Sequence, residues 1–98
     1  MNLQEILAVL RSERHKFSEF PIRALFLFGS VVHGTAAPGS DVDILVEFEP
    51  GSHVGLFEFA RLQRRLSDVL GVPVDLATPD ALHKALRDII LKEAVRAA

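Results

Sequence analysis

Apolar and polar residues alternate along the chain with two different periods. Leu3, Ile6, Leu7 and Leu10 recur at helical spacing, with Glu5, Arg11, Glu13 and Arg14 between them. This predicts an amphipathic helix over residues 3–16, ended before Pro21. Ala24-Leu25-Phe26-Leu27-Phe28 is a short continuous apolar run stopped by Gly29, which reads as a strand covered on both faces. Residues 30–34 predict a short helix or turn, and residues 35–40 a loop rich in Pro and Gly. From Asp41 to Phe48 the period drops to two. Val42, Ile44 and Val46 share one face, and Asp41, Asp43, Leu45 and Glu47 the other. A helix over 55–70 follows, with Leu56, Phe59, Leu62, Leu66, Val69 and Leu70 as its apolar face and Gly71 as its stop. Residues 72–76 predict a third strand, at an edge or strand start because of Pro73. Thr78-Pro79-Asp80 predicts the start of a last helix with Thr78 as N-cap and a buried stripe of Leu82, Leu86, Ile89 and Ile90. Three strands and three main helices in this order predict an α/β chain of the α+β type, a small mixed β-sheet flanked by helices, folded as a single domain over residues 1–98.

Composition narrows the function. A chain of 98 residues supports one core, yet 49% of it is hydrophobic and the mean hydropathy is +0.26, which leaves apolar surface for a partner. The net charge of −2 supplies no basic field for nucleic acid, so direct nucleic-acid binding is not expected. The absence of cysteine excludes disulfides and thiolate zinc sites and fits a reducing, cytoplasmic setting. No apolar run approaches the roughly 20 residues that span a bilayer, and Met1-Asn2-Leu3-Gln4-Glu5 does not read as a secretory signal, so no membrane association is expected.

The chemistry concentrates in Gly29-Ser30-Val31-Val32-His33-Gly34 and Ser40-Asp41-Val42-Asp43. A Gly-Ser turn after a buried strand exposes backbone N–H groups to phosphates. Gly29 allows close approach, Ser30 adds a hydroxyl, and Gly34 supplies a positive φ or a close approach. Asp is disfavoured in strands, so Asp41 and Asp43 on one strand face are costly unless a cation neutralises them; a solvated strand end is the plain alternative. Asp75, inside Val-Pro-Val-Asp-Leu, completes a carboxylate triad if its strand pairs beside 41–48, and is otherwise a strand-end residue in solvent. Such a triad suits two-metal nucleotidyl transfer. His33 could touch a phosphate or base, or serve only structure. His15, His53 and His83 show no ligand spacing, and Arg61, Arg64 and Arg65 form a basic strip that reads as a solvated face.

The pattern Gly29-Ser30, Gly34, Ser40-Asp41-Val42-Asp43 resembles the signature of the DNA polymerase beta-like nucleotidyltransferase superfamily. The segments Gly55-Leu56-Phe57-Glu58, Val74-Asp75-Leu76-Ala77-Thr78-Pro79 and Ile90-Leu91-Lys92-Glu93-Ala94-Val95 extend the likeness to its minimal nucleotidyltransferases (MNT). The resemblance implies Asp41 and Asp43 as paired metal ligands and Asp75 as the third carboxylate, all catalytic, with two Mg2+ ions. It implies Gly29, Ser30, Gly34 and Ser40 around the nucleotide, and ATP as donor. It further implies the antitoxin of a toxin–antitoxin pair, in a hetero-oligomer with a HEPN-domain toxin that accepts AMP. A non-catalytic antitoxin acting by binding alone is the rival, and transfer to a small molecule a third. The chain departs from the family in carrying His33 and Val31 where many members have arginines, which reduces the charge offered to a triphosphate.

Overall fold

The computed structural model describes residues 2–35 and 41–98. Asn2 caps the first helix, α1 (Leu3–Ser12), by accepting the Glu5 N–H at 2.9 Å. The helix stops earlier than its pattern predicts: a 3-10 turn, Arg14–Phe17, tucks Phe17 into the core. Strand β1 (Ile22–Phe28) runs into α2 (Ser30–His33), a single turn, and β2 (Val42–Phe48) follows. Helix α3 (Leu56–Leu70) ends on Gly71 in the left-handed region, with φ of 73°. Strand β3 (Val74–Ala77), helix α4 (Lys84–Glu93) and the short β4 (Val95–Arg96) complete the chain.

The sheet order is β3-β2-β1-β4. Strand β1 is antiparallel to both β2 and β4, while β2 and β3 are parallel, so the sheet is mixed as the sequence predicts. One face carries Leu25, Leu27, Val42, Ile44, Val46, Val74 and Leu76, and packs with Ile6 and Leu10 of α1 and Leu62, Leu66 and Leu70 of α3. The other face is only partly covered. Ala24 and Leu45 are buried there, but Phe26 and Phe28 are half-buried, so β1 is fully covered on one face and partly on the other.

Three other expectations fail. Pro79–Ala81 forms a 3-10 turn, and Leu82 and His83 are extended, with ψ of 142° and 137°, so the last helix begins at Lys84 and Thr78 makes no side-chain cap. Its apolar stripe is also not buried: no residue of α4 is buried, and Leu86 and Ile89 are more than half exposed. Leu56, at the start of α3, likewise lies outside the core. Strand β4 was not predicted, because two residues carry no periodicity; its pairing is set by Leu27↔Val95 and Phe26↔Arg96, and Arg11 reinforces it through the carbonyls of Arg96 and Ala97.

Candidate active site

Three chain segments meet at one end of the sheet because of strand direction. The antiparallel register sets the C-terminal residue of β1, Phe28, opposite Asp43 near the start of β2. The parallel register sets Asp43 beside Asp75. The Gly29–Ser30 turn, Asp43 and Asp75 therefore share that end, with Asp41 two residues before Asp43 on the same side of the strand path. Strand β3 does pair beside 41–48, which sets Asp75 next to Asp43. Ser40 lies outside the described residues.

Gly29 is the tightest joint of the site. Its φ of 74° is a conformation that favours glycine, and a Cβ built there would collide with the carboxylate of Asp43. The Asp43 side chain thus lies directly against the backbone of the turn. Beyond it, the Gly29 carbonyl accepts from the N–H groups of Val32 and His33 at 3.1 and 3.2 Å, closing α2. Val31 turns into the core, which leaves Ser30 and His33, one helical turn apart, on the outer side. Gly34, with φ of 73° and open space around it, supplies the positive φ that returns the chain and caps α2 through the Ser30 carbonyl.

The electrostatics are those of crowded carboxylates. Burial holds the Asp43 carboxyl above its usual range, and the negative charges of Asp75 and Asp41 push it further the same way. Asp41 and Asp75 are exposed and Asp43 half-buried. Among the described residues, no three His, Asp or Glu side chains are drawn close enough to form a ready-made cation cage. An all-oxygen, all-carboxylate set on an open sheet end nevertheless fits a magnesium ion. Such ions take one or two carboxylates and fill the remaining positions with water and substrate phosphates.

His33 does not stand alone: its Nε2 lies 2.9 Å from Glu93 Oε2 at the end of α4, both side chains half-exposed. Sequence reasoning missed Glu93. The only signal was its place in the family-like Ile90–Val95 segment, since a separation of 60 positions carries no spacing rule. The basic strip is partly structural: Arg61 and Arg65 bind Glu19 and lie over the Phe20 ring at 5.5 and 5.7 Å, whereas Arg64 is simply exposed. His15, His53 and His83 are exposed. A cavity of about 430 Å³, lined by Phe48, Val54, Thr78 and Pro79 among others, sits at the opposite end of β2, away from the carboxylates.

Residues 8–97 match the nucleotidyltransferase domain family. The chain belongs to that family. Within it, this nucleotidyltransferase is of the minimal type. It is 36% identical over 96 residues to the protein adenylyltransferase MntA of Thermococcus cleftensis, covering 97% of this chain and 95% of the relative. It is 36% identical to a solved structure assigned as a minimal nucleotidyltransferase, with a TM-score of 0.70 and coverage of 97% and 95%. It also shares its fold, at 17% identity and a TM-score of 0.64, with a Shewanella oneidensis complex in which a HEPN toxin bound to its MNT antitoxin is tri-AMPylated; 100% of this chain and 72% of that one are covered. The mixed sheet and the nucleotidyltransferase assignment thus agree with the sequence reading.

Proposed function

We propose that this nucleotidyltransferase transfers AMP from ATP to a hydroxyl of a partner protein, and that the partner is a HEPN-type toxin which it counteracts. The observation that carries the reading is the close approach of the Asp43 carboxylate, in register with Asp75, to the Gly29 backbone; a turn suited to phosphate against two carboxylates supports nucleotidyl transfer. The adenylyltransferase relative and the AMPylated toxin complex support the acceptor class.

In this reading Gly29, Ser30 and Gly34, with Ser40, hold the triphosphate. Asp41, Asp43 and Asp75 would hold magnesium, which when bound supplies charge neutralisation at the phosphates and a more acidic acceptor hydroxyl. Asp43 sits between the other two and anchors the pair. Asp75, exposed on the edge strand, is the carboxylate open to an incoming protein and orients its hydroxyl. The reaction forms a bond from the acceptor oxygen to the α-phosphorus and releases pyrophosphate. The exposed Leu86 and Ile89 of α4 are available to an incoming acceptor protein.

The test is transfer of label from α-labelled ATP with magnesium in an extract that contains the partner, with Asp41→Ala/Asp43→Ala as control. A labelled protein band made only by the wild type is the expected result. No band, with a partner still recovered by pull-down, would replace the enzyme with an antitoxin that acts by binding alone.

A further inference from the structure

The ion pair between His33 and Glu93 joins the outer side of the nucleotide turn to the end of α4. On α2, Val31 is buried, while His33 stands one turn from Ser30 on the outer side with its ring half-exposed. Among the described residues, the imidazole is held through Nε2 alone. A carboxylate only accepts hydrogen bonds, so Nε2 must carry a hydrogen to bind Glu93. In a neutral ring held this way Nδ1 is an acceptor and opposes a phosphate oxygen. With both nitrogens protonated, Nδ1–H donates while Nε2–H stays on Glu93.

We propose that Glu93 is a positioning residue for His33: it fixes the ring through Nε2 so that Nδ1–H meets the triphosphate beside Gly29 and Ser30. The proposal rests on the nucleotidyltransferase reading above. Held this way, the imidazole offers phosphate a fixed donor, although the pair with Glu93 carries no net positive charge and so falls short of an arginine. Glu93 also carries a cost, because its negative charge near the phosphates is useful only while the imidazole stands between them. A plain structural tie between α2 and α4 predicts something different: loss of either residue would then loosen the fold without a selective effect on ATP.

The test combines imidazole 15N NMR with steady-state kinetics on the full chain and its partner. In the wild type, the His33 Nε2 signal reports a bound hydrogen. Adding ATP with magnesium moves the Nδ1 signal together with the backbone amides of Gly29 and Ser30. H33A raises KM for ATP about tenfold, the scale of one charge-assisted hydrogen bond, with the loss on KM rather than kcat. E93Q raises it by a smaller factor of about three, because the amide still accepts from Nε2–H but contributes no charge. H33R recovers wild-type KM and makes it insensitive to E93Q. If the Gly29 and Ser30 amides respond to ATP but Nδ1 does not, or if E93Q changes melting temperature and leaves KM untouched, the positioning role is wrong and the enzyme reading stands. If neither amides nor imidazole respond and no label is transferred, the nucleotide reading fails and the role of Glu93 falls with it.

Discussion

Replacing Gly29 with alanine separates two costs that are usually mixed. The first is conformational: a φ of 74° with a ψ of −147° lies in a region essentially confined to glycine, which penalises an L side chain by roughly 1–3 kcal/mol, offset in part by the lower chain entropy of the unfolded alanine variant. Gly71 shares the positive φ, 73°, but its ψ of 14° is that of the milder left-handed helical region and a built Cβ there meets nothing, so G71A, at about 1 kcal/mol, sets a lower bound for the conformational cost. The second cost is steric. At Gly29 the Cβ meets the Asp43 carboxylate, and moving a half-buried side chain aside adds about 1–2 kcal/mol, the lower part of the overpacking range. G29A should then cost about 2–3 kcal/mol in urea denaturation, a drop of about 10–15 °C in melting temperature for a domain of this size. It should also abolish nucleotidyl transfer by displacing Asp43, while G71A stays active. In an Asp43→Ala background the penalty at position 29 should shrink by about 1 kcal/mol, leaving the conformational cost alone. The reasoning is refuted if G29A costs no more than G71A, or if its cost is the same with and without the Asp43 carboxylate.

Two further outcomes follow from the same coordinates. Asp43 titrates above its ordinary value of 3.8 because of burial and then of Asp75 and Asp41, so the folded protein holds more protons than the unfolded chain between that value and its folded pKa. Stability contributed by this group therefore falls as pH rises through that window. Without divalent cations, D43N should melt a few degrees above the wild type at pH 7, and magnesium should narrow the gap by stabilising only the wild type; a D43N protein that melts lower would contradict it. Leu62 is fully buried and Leu86 56% exposed, so L62A should cost about 3 kcal/mol in denaturant titrations and L86A less than about 0.5 kcal/mol. A large cost at Leu86 in the isolated chain would show that α4 packs more closely than its exposure indicates.

The sequence by itself determined those features whose causes are local. Period-two alternation located β2 and assigned Asp43 and Val42 to opposite faces. The 3.6-residue period located α1 and α3, and Gly71 marked the end of α3 because only a residue tolerant of the left-handed region stops a helix there. The Gly-Ser turn and the paired aspartates were readable because their chemistry is costly in a strand without a ligand. Tertiary structure decided everything that depends on two distant segments meeting. The parallel register brought Asp75 beside Asp43, a step the sequence could state only as a condition. The β1–β2 register put Asp43 against Gly29, turning a generic glycine into one that no side chain can replace without a clash. The pairing of His33 with Glu93, the two-residue β4 and the exposure of the α4 stripe were equally out of reach. A helical stripe records only that a face is apolar, and whether the same chain or another protein covers it is settled by where the remaining elements pack.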